Sequence, residues 1–306
     1  PLSAALPRRV ALVGSTASGK SAVAMAVARE LGDVDLVSVD SMQVYRGMDI
    51  GTAKPSASER AEVRHHLLDL VEPADEFTVA EFRVAYAAAV ASIGHSGRRA
   101  LLVGGTGLYH RVVIDDFDLP GQWPDVRAEL EADPDTDAHF ARLAELDPLA
   151  AAKMEPSNRR RVVRALEVTL GSGRPFSSFG PGVDEYPPTA VTQIGLRWPR
   201  DVLTQRVTER VHDMVSAGLF DEVAAIEARG GFSRTAVQAL GYKETLDALA
   251  GRIGNDEAID TIITRTRQFA VRQERWFRRD PRVRWIDIDA DPVAEATPVV
   301  LDAFDT

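Results

Sequence analysis

The 306-residue sequence contains no cysteine. That excludes disulfides, thiolate zinc sites and cysteine nucleophiles, so catalysis would rest on carboxylates, hydroxyls, amides, cations or a metal held by oxygen. Also missing is any apolar run long enough to span a bilayer, and the N-terminus shows no basic segment leading into an apolar stretch of signal type. A soluble, cytoplasmic protein is expected. Positive charge is in deficit too, with a formal net charge of −10, which at first sight argues against a polyanionic partner. Position matters more than the total. Between Arg265 and Arg284 stand eight arginines (265, 267, 272, 275, 278, 279, 282, 284) against Glu274 and Asp280, and a shorter run, Arg159-Arg160-Arg161, is followed by Arg164. Each run reads either as a solvated helix face or as a track for a phosphate backbone.

What is present begins with Gly14-Ser15-Thr16-Ala17-Ser18-Gly19-Lys20-Ser21, which fits G-x-x-x-x-G-K-[ST] at every fixed position. The apolar strand Val10-Ala11-Leu12-Val13 precedes it, and an alanine-rich helical run from Ala22 to Leu31, closed by Gly32, follows. Glycines let the backbone curl so that N–H groups and the positive helix end face an anion; Lys20 adds a point charge and the Ser21 hydroxyl can reach Mg²⁺. The loop binds a phosphate or diphosphate, with its fate left open.

A second strand, Asp35 to Val39, ends in Asp40-Ser41-Met42-Gln43. In an open parallel sheet, ligands bind outside the carboxyl ends of the strands, which puts Asp40 and Gln43 beside the phosphate loop. Asp40 there would hold Mg²⁺ through water, accept a proton, or cap the next helix. The turn-rich 48–55 segment reads as a loop over the same face, its Lys54 either meeting phosphate or solvated. His65-His66 lacks further ligands at helical spacing, so packing or hydrogen bonding is expected rather than metal binding. Thr78 with Glu81 forms a capping box for a helix whose apolar face is Phe82, Tyr86 and Val90.

A third strand, Arg99 to Val103, runs into Gly104-Gly105-Thr106-Gly107-Leu108-Tyr109, a second glycine loop at a strand end. Where many P-loop ATPases carry a metal-binding aspartate, this chain offers Thr106, with glycines that admit close approach of ligand or backbone. That suits a diphosphate that departs as a unit better than phosphoryl transfer. After Asp115 to Pro120 the chain breaks into short helical patterns, Val126-Arg127-Ala128-Glu129-Leu130, Ala138 to Leu146 and Ser157 to Leu170, then a glycine-, proline- and serine-rich loop at 171–188. A helical insertion domain is expected at 121–188 within a core of 1–120 and 189–306. Strand character returns at 190–196, a long helix starts at Arg200 with Arg210 near its apolar stripe, Gly241-Tyr242-Lys243-Glu244 opens another helix, and the arginine-rich helix is expected over 260–279 before a last strand at 283–288. Arg210 would reach the phosphate pocket or pair with an acid. The expected fold is α/β: a P-loop NTPase-like parallel sheet flanked by helices, with a helical insertion.

Taken together, the phosphate loop at 14–21, the 40–55 block, His65-His66-Leu67-Leu68-Asp69, Gly104 to Tyr109, Asn158 to Glu167 and Thr266 to Gln273 resemble, in order, the motifs of the tRNA dimethylallyltransferases. The resemblance covers nearly the whole chain. It implies transfer of a dimethylallyl group from dimethylallyl diphosphate to N6 of the adenosine immediately 3′ of the anticodon in tRNA, with a P-loop of the ATP-binding type holding the diphosphate and no nucleoside triphosphate consumed. On that resemblance Asp40 is the general base; Lys20, Ser21, Thr106 and Arg210 stabilise the leaving diphosphate alongside Gly14, Thr16, Ala17, Ser18 and Gly19; and Mg²⁺ sits near Ser21. The RNA would be met by Asp40, Ser41, Met42 and Gln43, by Arg127, Arg159, Arg160 and Arg161 of the insertion clasping the anticodon stem-loop, and by Lys243, Arg267, Arg272 and Gln273. A monomer is implied. Position 15 departs from the family's usual proline, which changes loop stiffness and leaves the signature residues intact.

Overall fold

The computed structural model describes residues 6–117, 119–179 and 185–305. Asp118 of the 115–120 stretch, residues 180–184 of the expected 171–188 loop, the first five residues, where no signal segment is expected, and Thr306 lie outside them. The chain divides into two compact units, Pro1–Ile114 with Pro188–Thr306, and Asp115–Pro187.

In the first unit, six parallel strands form one sheet: β1 (Arg9–Gly14), β2 (Val34–Ser38), β3 (His65–His66), β4 (Arg99–Gly104), β5 (Thr192–Arg197) and β6 (Val283–Asp287). Their order is β3-β2-β4-β1-β5-β6. The central strands are apolar at successive positions because both faces are covered, as parallel sheets require. Ala11, Val37, Ala100 and Leu102 enter one core layer with Phe82, Tyr86, Tyr242 and Ile262. Val10, Leu12, Leu36, Leu101 and Ile194 enter the other with Val23, Val27, Val300 and Phe304. The consequence is that β1, β2 and β4 deliver their carboxyl ends side by side.

The helices follow the expected signals closely. Lys20–Leu31 ends on Gly32 at φ 70°, and Val79–His95 starts with the Thr78–Glu81 capping box. The arginine-rich helix is longer than expected, Asn255–Arg278, because Gly254 begins it and Asp256 and Glu257 favour its positive end. Several helices were not legible as such, among them Ala57–Glu62, capped by Ser56 and Glu59, Gly107–Asp115, where the glycines read only as a loop, and the terminal Pro292–Asp305, whose internal Pro298 masks its pattern.

The second unit is helical, with Pro124–Ala132, Thr136–Leu146, Pro148–Ala151 and Arg159–Ser172 around a small core of Leu130, Leu143, Ala151, Val162, Val163, Ala165 and Leu166. Proline at the first helical position and Asp or Asn caps begin these short helices.

Candidate active site

The phosphate loop leaves β1 through Gly14 at φ 148° and enters the helix through Gly19 at φ 93°, values that favour glycine. Ala17 also adopts positive φ, 61°, a strained choice for alanine. Its carbonyl is held by Arg206 Nε at 2.9 Å, and the Ser18 carbonyl accepts from the buried Trp198 indole at 3.0 Å. Arg206 in turn stacks on the Trp198 ring, 4.4 Å from its centroid. The strained loop is thus fixed from outside. Lys20 folds over it, its Nζ donating to Ser15 O at 2.5 Å and Ser18 Oγ at 3.3 Å. The first-turn amides of Lys20 and Ser21 have no acceptor within their own helix, and the exposed Ser21 hydroxyl points from the same turn.

Asp40 stands at the end of β2. Its Oδ1 accepts the Met42 N–H at 2.8 Å, so one oxygen closes a local turn. Burial pushes its carboxyl above the ordinary aspartate value, opposed by the N–H groups of Met42 and Gln43 and by the charges of Lys20 and Arg210. Burial pushes Lys20 down to about 7, aided by Arg210 and opposed by Asp40. Arg210 is lowered for the same reason, with Asp40 acting the other way. Three residues 190 positions apart at the extremes therefore share one electrostatic site. Arg210 thus lies near enough to Asp40 and Lys20 for their charges to act on one another.

Thr106 completes it. Its Oγ1 accepts the Ser41 N–H at 3.2 Å, which ties the second glycine loop to the residue after Asp40. The glycines of that loop make room for protein: a Cβ on Gly104 would clash with the Val39 carbonyl, on Gly105 with the Gln273 amide, and on Gly107 with the Trp276 ring. The arrangement offers a carboxylate, a lysine, an arginine, a hydroxyl and a helix N-terminus around one point, which suits departure of an anionic group and removal of a proton.

The sequence profile of the IPP transferase family matches residues 43–280. The chain is 49% identical over 286 residues to a tRNA dimethylallyltransferase of Kineococcus radiotolerans, covering 90% of each. It is 46% identical to one from Thermobifida fusca over 97% of this chain and 95% of that protein. Among solved structures it is similar to the full-length tRNA isopentenylpyrophosphate transferase of Bacillus halodurans, at 40% identity, TM-score 0.71 and 97% coverage of each chain. A eukaryotic dimethylallyltransferase, captured acting on tRNA, superposes with TM-score 0.76 at 26% identity, over 92% of this chain and 74% of that one. The chain belongs to the IPP transferase family. The fold, family and enzyme class expected from the motifs therefore stand.

In this family member the residues expected to meet RNA fall into two groups. Arg160, Arg161, Lys243, Arg267 and Arg272 are exposed. Arg267 donates to Thr208 Oγ1 at 2.7 Å and Arg272 lies 5.8 Å from the Phe269 ring, but both remain on the surface. Arg127 is partly buried and pairs with Glu131 at 2.8 Å, with Glu167 at 3.7 Å. The other group is engaged within the fold. Arg159 closes the Pro124–Ala132 helix, reaching the carbonyls of Leu130 (3.2 Å), Glu131 (3.3 Å) and Asp133 (2.6 Å). Gln43 donates to the carbonyls of Thr52 (3.1 Å) and Ala53 (3.3 Å) and accepts from Ser38 Oγ (2.8 Å). Gln273 is buried between the two glycine loops and takes the Thr16 N–H that the phosphate loop was expected to offer to diphosphate. In each case a long polar side chain found backbone partners inside the fold, where leaving them unpaired would be costly.

Lys54, read as meeting phosphate or solvated, does neither. Its fully buried side chain binds Tyr45 O at 2.5 Å, Asp49 at 2.8 Å and Asp69 at 2.6 Å. The histidine pair is hydrogen-bonded as expected: His65 Nδ1 lies 2.7 Å from Val63 O, and His66 Nε2 lies 2.8 Å from Asp35, which also pairs with Arg98. The sequence reading missed Glu222, whose carboxylate accepts the N–H groups of Asp49, Ile50 and Gly51 and the Tyr242 hydroxyl, holding the 48–55 loop in place. It also missed Trp198, Arg206 and Pro292, the last packed on Gly19. No local pattern marks these residues, because each acts on a loop more than a hundred positions away.

Proposed function

We propose that the chain transfers the dimethylallyl group from dimethylallyl diphosphate to N6 of the adenosine 3′-adjacent to the anticodon of tRNA. The observation that carries this reading is the half-buried Asp40, raised in pKa and set beside Lys20 and Arg210 at the mouth of a phosphate loop. The N6–C1 bond forms as the C1–O bond to diphosphate breaks, and the N6 proton passes to Asp40. A carboxylate raised above its ordinary value is a better base for a weakly nucleophilic exocyclic amine. Negative charge grows on the departing oxygen, where Lys20, Arg210, the Thr106 hydroxyl and the first-turn amides at Lys20 and Ser21 stabilise it.

Mg²⁺ fits as a diphosphate-borne ion. Among the described residues no group of three or more His, Cys, Asp or Glu forms a metal cage, whereas one Ser21 hydroxyl beside phosphate oxygens and water is a donor set Mg²⁺ accepts. It would supply charge neutralisation on the diphosphate. The target adenine must leave its stack to reach Asp40, as base-modifying enzymes require. The exposed arginines of the Asn255–Arg278 helix, with Lys243, and Arg160 and Arg161 of the helical insertion, would grip the RNA backbone and loop. No helix of the described residues is long and apolar enough to cross a membrane, in keeping with a cytoplasmic enzyme, which we take to act as a monomer.

The test is mass analysis of nucleosides from anticodon stem-loop RNA incubated with the protein, Mg²⁺ and dimethylallyl diphosphate. An adenosine carrying one dimethylallyl group, formed without ATP, is expected. ATP-dependent phosphorylation of a small molecule with unmodified RNA would refute the reading.

A further inference from the structure

The motif from Thr266 to Gln273 reads in sequence as one basic, RNA-facing block, yet the helix that carries it divides the motif between two faces. Arg267 and Arg272 are exposed, while Gln273 is 7% exposed and turned into the sheet side. Its Oε1 accepts the Thr16 N–H at 2.8 Å, and its Nε2 donates to Gly105 O at 2.9 Å. The partners fix the amide's orientation, since one side offers only a donor and the other only an acceptor. Thr16 belongs to the phosphate loop and Gly105 to the loop that ends in Thr106. No backbone hydrogen bond outside regular structure joins the two loops directly. A Cβ at 105 would occupy the space of the Gln273 amide, so any other residue there would displace it.

We propose that Gln273 is a positioning residue: a strut that sets the separation of the two loops holding the diphosphate, so that Lys20 and Thr106 address the same leaving group. The proposal rests on the function argued above. It differs from an RNA-contact role in what it controls. A buried amide engaged on both sides by loop backbone is not presented to a base edge, whereas its loss frees the Thr16 N–H and lets the loops drift. A displacement on the scale of 1 Å at a reacting centre costs on the order of a hundredfold in rate.

Two variants separate the possibilities. Gln273→Met keeps the volume and loses both hydrogen bonds. Gln273→Glu keeps the acceptor for Thr16 but sets a carboxylate against the Gly105 carbonyl. Calorimetric titration with Mg²⁺ and inorganic diphosphate is expected to show about ten- to a hundredfold weaker binding in both, with KM for dimethylallyl diphosphate rising in parallel and stem-loop RNA affinity held within about twofold. The wild-type to Gln273→Glu ratio should shrink as pH falls from about 8 to about 5, since a protonated glutamic acid again donates to Gly105 O. Weaker RNA binding with unchanged diphosphate binding would overturn the strut and restore an RNA contact. Equal losses in both affinities, with a lower melting temperature and no pH effect, would mark a packing residue and also overturn it. A wild type that binds no diphosphate would refute the function as well, whereas equal diphosphate affinity in wild type and variants refutes the strut alone.

Discussion

Replacing Lys20 by methionine should make the ligand-free protein more stable at neutral pH while destroying its use. In the native state burial brings the Lys20 pKa from its ordinary 10.5 down to about 7. The native pKa lies below the unfolded one, so between about pH 7 and 10.5 the unfolded chain binds more protons, and stability rises with pH across that window. At about 1.36 kcal/mol per pKa unit, housing the lysine costs about 4 kcal/mol at pH 7, where it is half charged, and about 2 kcal/mol at pH 9. The hydrogen bonds to Ser15 O and Ser18 Oγ, worth on the order of 1 kcal/mol each, offset part of this, and the extra strength they have from the ammonium form is already contained in the shifted pKa. The change with pH is therefore the cleaner quantity. Guanidinium unfolding of wild type and Lys20→Met at about pH 7 and about pH 9 should show the variant's advantage shrinking by about 2 kcal/mol. A difference between the two proteins that does not move with pH would refute the claim that this lysine is held desolvated, and with it the view that the site is strained to receive an anion.

The same strain predicts proton uptake: diphosphate restores the charge on Lys20, so its binding at about pH 8 should take up a proton, read from titrations in buffers of different ionisation heat, and Lys20→Met should lose that uptake. Asp40→Asn should lower single-turnover prenyl transfer by about 10²- to 10⁴-fold with RNA and diphosphate affinities kept, and the wild-type acid limb should lie above the ordinary aspartate range because burial raises Asp40; an unchanged rate would remove the general base. Arg272→Ala should lower the slope of log affinity for stem-loop RNA against log salt by about one, with diphosphate binding untouched. Arg159→Ala should destabilise the helical insertion by about 1–3 kcal/mol through the three carbonyls it closes, and normal unfolding with lost RNA binding would reverse that assignment.

The strands and main helices were legible because their signals are local. Val10 to Val13, Asp35 to Val39 and Arg99 to Val103 are apolar runs between turn residues, and Thr78 with Glu81 is a capping box whose two bonds are both made. Strand β3 and the terminal helix were not, one because two residues carry no period and the other because Pro298 reads as a breaker. The site residues divide the same way. Lys20, Ser21, Asp40 and Thr106 sit at strand ends that any parallel sheet brings together.

By itself, then, the sequence determined which backbone turns carry phosphate chemistry, which strand ends would meet, and, through motifs in family order, which enzyme class the chain belongs to. Only the tertiary structure decided what each long polar side chain does. Gln43, Lys54, Arg159 and Gln273 look in sequence like groups offered to a ligand, and all four turn inward to satisfy backbone or carboxylate partners. The reason is physical. A flexible polar side chain reaches several ångströms in any direction, so its partner is set by whichever unpaired carbonyl or amide the fold buries within that reach, and those lie far along the chain.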